Sequence, residues 1–399
     1  MGTRDEERVE RICQALRKAG WKAFVCSLPR DVLMLSGYWP VVGNAIAVAT
    51  WEGQVRVLAP EDERDLAEAG WADAVHTFAA GSLDRIEDLA EAVRQPLAEL
   101  LRAAGLERGT LGYEGGAYSE PATYAAMSFY GEALRGLLGK VSPESAPAPA
   151  DAALARLRCV LTPREMERVK VACRIADRAY QEGARQMRAG QKETEAAARF
   201  RAPLSVAGVG FEGAARADGF VYCMSGPNAA QAYAAYQRSQ DRTVAPGEFA
   251  LVHCNSYADG YWTDITRTFC LGTPGERMRT LYEAVLTARE AALESIRPGV
   301  RAADVDRAAR EVMRHYGFAT AFKHPTGHGV GYTAIDHNAP PRLHPKSEEI
   351  LETGMVFNVE PGLYFDGFGG LRHCDMVAVT AGGMELLTPF LSEVSSLIL

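Results

Sequence analysis

Residues 5–18 carry apolar positions at helical spacing, which predicts an amphipathic helix ending near Gly20. Trp21 to Ser27 then predicts a buried strand. Asn44 to Thr50 and Gln54 to Ala59 predict a hairpin that turns at Glu52-Gly53. Helical periodicity returns over 61–69 and 83–104, and Leu111-Gly112-Tyr113-Glu114 predicts a short strand. Such alternation of strand and helix predicts an α/β domain. Ser142 to Ala153 is rich in Pro, Ala and Ser and predicts a linker. Thr162-Pro163-Arg164-Glu165 predicts a helix start, with Thr162 as N-cap and Glu165 closing a capping box. The expected domains are therefore 1–155 and 156–399.

The second domain repeats itself. Arg188-x-Gly190 followed by Glu195 matches Arg297-x-Gly299 followed by Asp304. Gly247 to His253 parallels Gly354 to Glu360, and Gly260 to Asp264 parallels Gly370 to Cys374. All recur at a lag of about 110 residues, which predicts two similar halves. Packed about a pseudo-two-fold axis, His253 and Asp264 of one half would face Glu360 and Cys374 of the other.

Composition narrows the class. Of 399 residues, 47% are hydrophobic and 24% charged, as expected of a globular chain. The net charge of −8 offers no basic excess for a phosphate backbone, so no nucleic acid partner is expected. No apolar run is long enough to span a membrane, and the charged start lacks a signal peptide's apolar stretch, so a cytoplasmic protein is expected. Eight cysteines without a Cys-x-x-Cys pair predict neither a disulfide framework nor a Cys-rich zinc site.

Seven of the eight histidines lie between His253 and His373, which places the polar chemistry in the second domain. His328 sits in Gly327-His328-Gly329-Val330-Gly331, where glycines allow a close backbone approach. With His253, Asp264, Glu360 and Cys374 it forms a candidate convergent set.

Three ordered motifs, Asp264-Ile265-Thr266-Arg267-Thr268, Gly327 to Gly331 and Val359-Glu360-Pro361-Gly362, resemble those of the pita-bread hydrolases. That family includes methionine aminopeptidase, prolidase, aminopeptidase P and creatinase. The resemblance covers about 160–399 strongly. The first domain, with Leu35-Ser36-Gly37-Tyr38, resembles the creatinase/prolidase N-terminal domain more weakly. It implies an α/β (α+β) chain with a creatinase/prolidase-like first domain and a pita-bread second domain with an internal pseudo-two-fold repeat.

Metal-dependent members hold two ions with two Asp, one His and two Glu. Carried over by position, the resemblance puts His253 and Cys374 where the family has carboxylates, and keeps Asp264, His328 and Glu360. Tyr233 stands at a family histidine position, and His337 matches another. Neutral imidazole in place of a carboxylate removes a charge that a close pair of cations needs. The main expectation is thus a creatinase- or ectoine-hydrolase-like enzyme, cleaving a C–N bond of a small zwitterionic substrate without a cofactor. In it, imidazole beside thiol gives a Cys374 thiolate paired with His253, or His253 or a carboxylate activates water. One alternative is an Xaa-Pro peptidase with a single divalent ion, zinc or manganese, held by His253, Asp264, His328, Glu360 and Cys374. A second alternative is an inactive binding module.

Arg342 is the candidate for a substrate carboxylate. The resemblance also implies a homodimer in which Tyr38 and Trp39 wall the partner's pocket. Arg267 and Arg372 are expected to pair with site carboxylates or Asp375.

Overall fold

A computed structural model of the chain describes residues 2–81, 83, 84, 88–116, 128–234, 237–334, 336 and 338–399. The chain divides into two compact units, Met1–Arg158 and Cys159–Leu399.

The first unit begins with α1 (Glu6–Ala19), whose N-terminus is capped by the Asp5 carboxylate accepting from Arg8 N. Gly20, at φ 71°, ends it in the left-handed conformation that glycine adopts without strain. Then follow β1 (Ala23–Cys26), α2 (Pro29–Ser36), β2 (Ile46–Thr50), β3 (Val55–Pro60), α3 (Arg64–Ala69) and β4 (Ala74–Phe78). The unit continues with α4 (Leu89–Ala103), β5 (Arg108–Tyr113), α5 (Gly131–Val141) and β6 (Glu144–Pro149). The strands form one sheet in the order β4-β3-β2-β1-β5-β6. Its hairpin is the predicted one, with Ile46 opposite Leu58. Val25, Val48, Leu58, Leu97, Leu111 and Leu138 build the core between sheet and helices.

The predicted linker differs. Glu144–Pro149 is an edge strand that pairs parallel with β5 from Arg108↔Glu144 to Tyr113↔Pro149. An edge strand has one row of N–H groups unused, so Pro147 and Pro149 cost no ladder bond there. The next stretch is helix α6 (Asp151–Cys159), not coil. Part of the predicted helix over 83–104 lies outside the described residues.

The second unit holds α7 (Pro163–Gln186), α8 (Glu193–Val206), β7 (Ala217–Ser225), a short α9 (Gly226–Ala229), β8 (Phe249–Ala258) and β9 (Tyr261–Cys270). After these come α10 (Glu276–Ser295), α11 (Ala302–His315), β10 (Val356–Val359), β11 (Gly362–Phe365), β12 (Gly369–Arg372), β13 (Asp375–Thr380) and β14 (Gly383–Leu386). The capping box at α7 forms as predicted: Thr162 N donates to Glu165 Oε2 at 2.8 Å and Glu165 N to Thr162 Oγ1 at 3.3 Å. Three antiparallel sheets follow, β7-β8-β9, β10-β13-β14 and β11-β12.

The repeat is written in the backbone. Gly190 N donates to Val244 O and Gly299 N to Leu351 O, both at 2.9 Å. Glu193 N donates to Arg242 O and Ala302 N to Glu349 O, both at 2.8 Å. The two turn glycines sit at φ 89° and 87°. Each half is thus a helix pair, α7–α8 or α10–α11, strapped to the segment that leads into its own strands. The halves join where Cys374 N donates to Thr266 O at 3.0 Å. Tyr180 of α7, with its hydroxyl 3.0 Å from Val252 O and from Ile265 O, pins that helix to the β8–β9 hairpin. Among the described residues no helix is long and apolar enough to cross a membrane.

Candidate active site

The β8–β9 register sets His253 opposite Thr266 and Asn255 opposite Asp264. Alternate residues of a strand share a face, so these four form one patch. Asp264 is buried within it.

His328 arrives from the glycine-flanked loop. A Cβ on Gly327 would lie 1.9 Å from Asn358 O, and one on Gly329 would lie 2.1 Å from Pro340 O, so only glycine allows this approach. His328 Nδ1 lies 3.1 Å from Gly329 O, which can only accept, so the ring proton is on Nδ1. That leaves Nε2 as the accepting nitrogen, 3.2 Å from Asn358 Nδ2 and 3.6 Å from Asp264 Oδ2.

Glu360 follows β10 directly, and its N–H donates to Thr326 O at 2.7 Å. Burial pushes its carboxyl up to about 7, with Arg372 opposing the rise and Asp264 adding to it. Cys374 lies between β12 and β13, and its Sγ is 3.1 Å from Asp264 O and 3.7 Å from Asp264 Oδ1. Donor atoms of Asp264, Glu360 and Cys374 all lie within 4.8 Å of one another.

His253 also borders the group, its Nδ1 3.7 Å from Asp264 Oδ1, but its nearest partners are others. Its Nδ1 is 3.0 Å from Arg372 Nη2 and 3.0 Å from Thr266 Oγ1. Guanidinium only donates, so Nδ1 accepts and the imidazole is neutral with its proton on Nε2. Arg372 Nε also donates to Thr266 Oγ1 at 3.1 Å and lies 3.8 Å from Glu360 Oε2. The expected thiolate pair of Cys374 and His253 is therefore corrected. A full positive charge has taken the imidazole lone pair, and the thiol is pushed well up by burial and by Asp264 and Glu360.

Behind the site, Arg267 is fully buried and donates to Cys374 O at 2.7 Å and to Asp375 Oδ1 at 2.6 Å. Burial alone would raise the Asp375 carboxyl, but Arg267, His373 and Arg289 hold it well below the usual carboxylate range. This pair fixes the backbone from which Cys374 projects.

Of the other predicted residues, Tyr233 is half-exposed and lines a cleft of about 50 Å³ with Tyr222, Arg238, His253, Asp264 and Arg372. Its ring packs 5.6 Å from that of Tyr364. Arg342 does not line this cleft: its Nε and Nη2 donate to Glu349 Oε1 at 2.9 and 2.6 Å, so its fork is already occupied. Tyr38 is buried in the first unit, its hydroxyl donating to Glu63 Oε2 at 2.6 Å, which corrects its role as a pocket wall. Trp39 is half-buried in that same unit. His337 lies outside the described residues. Sequence reasoning missed Asn255 and Arg238 as cleft residues. Strand alternation from His253 points to the first; nothing in the local pattern marks the second.

A family model for metallopeptidase family M24 matches residues 167–381, more than half of the chain. The chain belongs to metallopeptidase family M24. This M24 member is 33% identical over 232 residues to an Xaa-Pro dipeptidase of Pyrococcus furiosus, covering 58% of this chain and 64% of that one. It is 34% identical over 238 residues to a probable dipeptidase PepE of Mycobacterium tuberculosis, covering 59% and 60%. The matches thus span less than two thirds of these curated relatives. Solved structures agree along nearly the whole length. A dipeptidase from Pyrococcus horikoshii aligns with TM-score 0.75 at 29% identity, covering 98% of this chain and 100% of that one. The prolidase from the same organism aligns with TM-score 0.74 at 26% identity, covering 96% and 98%.

Membership in a metallopeptidase family overturns the expectation that no cofactor is needed. The residues present fit a metal. Asp264, Glu360, Cys374 and the accepting Nε2 of His328 make a mixed carboxylate, thiol and imidazole set that suits one borderline ion such as zinc. They do not fit a pair. At the second position, neutral His253 faces the Arg372 guanidinium instead of supplying anionic oxygen.

Proposed function

We propose that this M24 member is a metal-dependent hydrolase of the C–N peptide bond in short peptides, Xaa-Pro dipeptides first among them. In this reading it works with a single divalent ion, zinc or manganese. The supporting observation is the convergence of Asp264, Glu360 and Cys374 within 4.8 Å, with His328 beside them. Relatives named Xaa-Pro dipeptidase favour this reading over the creatinase- or ectoine-hydrolase-like one and over an inactive module.

When bound, the ion would polarise the scissile carbonyl and make water nucleophilic at neutral pH. The protein's own groups do the rest. Asp264, His328, Glu360 and Cys374 are the holding set. The Glu360 carboxylate is placed to take a proton from the attacking water and return it to the departing amine. Arg372, cationic and 3.8 Å from Glu360, keeps that carboxylate oriented. Tyr222 and Tyr233, which line the cleft, offer aromatic surface to an apolar ring such as proline.

The test is metal analysis by mass spectrometry, together with proline release from Xaa-Pro dipeptides. One equivalent per chain and ion-dependent release are expected. Two equivalents would sink the single-ion reading, and undiminished release after chelation would sink metal dependence. A homodimer in the cytoplasm belongs to the same proposal. A light-scattering mass of 43.2 kDa would refute the dimer.

A further inference from the structure

Asn255 has no part in the chemistry above, yet its side chain is expensive where it stands. It is 0% exposed, and among the described residues neither Oδ1 nor Nδ2 has a hydrogen-bond partner. Buried polar atoms in native proteins are almost always paired, and removing a carboxamide from water without partners is unfavourable at both ends. An apolar residue of the same size would avoid that cost entirely. Asn255 also lines the cleft, together with His253 and Asp264. The β8–β9 register makes Asp264 its direct cross-strand neighbour. What this amide lacks is therefore a ligand that carries an acceptor and a donor side by side.

We infer that Asn255 is a specificity-determining residue that binds the aminoacyl end of the substrate. Its Nδ2–H donates to the acyl carbonyl oxygen, and its Oδ1 accepts from the α-ammonium of the same residue. One Cα–C unit separates those two substrate groups, so a single planar carboxamide can meet both. A peptide without its α-amine leaves Oδ1 buried with no donor, and a site built to hydrogen-bond a group rejects the analogue that lacks it. The inference rests on the peptide-hydrolase reading and adds the part of the substrate that is read.

The experiment uses the ion-loaded full chain and the variant Asn255→Leu, which keeps the heavy-atom branching and removes both polar atoms. The probes are L-alanyl-L-proline and its des-amino analogue, propionyl-L-proline, the latter as a competing ligand. For the dipeptide, kcat/KM falls by about 10- to 100-fold. The inhibition constant of the analogue, which keeps the carbonyl contact and lacks the ammonium one, moves by less than about fivefold, and Tm stays level or rises by about 2 °C. Equal weakening of both probes, or no weakening, overturns the inference. So does a Tm lowered by about 4 °C or more, which would mark a structural amide bridged by water. Asn255→Ala gives the same split in the probes if the leucine variant does not fold. Should wild-type protein release proline from no dipeptide, the peptide-hydrolase reading fails separately. Asn255 is then judged by binding. Alanyl-proline must raise the Tm of wild type and not of Asn255→Leu, and no shift in wild type overturns the inference.

Discussion

The two sides of the site each draw residues from both halves of the repeat and have opposite chemistry. On one side Asp264, Glu360 and Cys374 crowd together, an acidic and sulfur-bearing pocket with the accepting nitrogen of His328 at its edge. On the other, His253 and Arg372 stand 3.0 Å apart, with Thr266 bonded to both. The first side attracts a cation and the second repels one. The repeat makes Glu360 of the first side equivalent to His253 of the second, while the equivalent pair Asp264 and Cys374 stays within the first side. An internal duplication therefore constrains where side chains point and leaves their charge free to diverge.

The largest expected effect breaks the acidic side. Asp264→Asn removes the charge around which Glu360, Cys374 and His328 gather. Ion affinity and proline release should each fall more than about 100-fold, read by competition with a fluorescent chelator and by amino-acid analysis. Retained affinity would mean that the ion does not sit among these donors.

A second change erases the difference between the sides. The double variant His253→Asp, Cys374→Glu restores carboxylates at both departed positions and gives the Arg372 guanidinium an acid to pair with. Bound metal should rise from about one to about two equivalents. If it stays at one, the cationic side is set by Arg372 rather than by His253.

Support beneath the acidic side can be tested through stability. Asp375→Asn leaves Arg267 and Arg289 buried without their shared carboxylate. Stranding buried charge typically costs about 3–5 kcal/mol, to be measured by urea denaturation of the full chain. A loss below about 1 kcal/mol would show that the backbone carbonyls around Arg267 suffice.

The sequence carried the local signals well: the capping box at Thr162, the β2–β3 hairpin, and the glycines that mark equivalent turns in the two halves. Each depends on residues a few positions apart. It also gave the backbone addresses of Asp264, His328, Glu360 and Cys374. It misjudged what depends on contacts between distant segments. The segment Ser142 to Ala153 looked like a linker because proline breaks most strands, and only its place at the sheet edge makes Pro147 and Pro149 harmless. His253 and Cys374 looked like a pair because both occupy ligand positions. Two side chains reaching one point from different strands cannot be ranked by spacing, and Arg372 reaches the imidazole first. Arg342 was bound by Glu349, seven residues on, a pairing that a loop sequence does not announce.

The smallest expected effect sharpens the comparison from the cationic side. Thr266 places one hydroxyl against both His253 Nδ1 and Arg372 Nε, at 3.0 and 3.1 Å. Thr266→Val is close to isosteric, so packing is kept and only the hydroxyl goes. The loss should be about 1–2 kcal/mol of stability, because two buried hydrogen bonds go at about 1 kcal/mol or less each. Arg372 keeps its bond to His253, so the two remain neighbours. Asp264, Glu360 and Cys374 lose no partner, and bound metal should stay at its wild-type stoichiometry while stability falls. If Thr266→Val instead releases the ion, the two sides are one cooperative network, and the division of the site into an acidic and a cationic half is wrong.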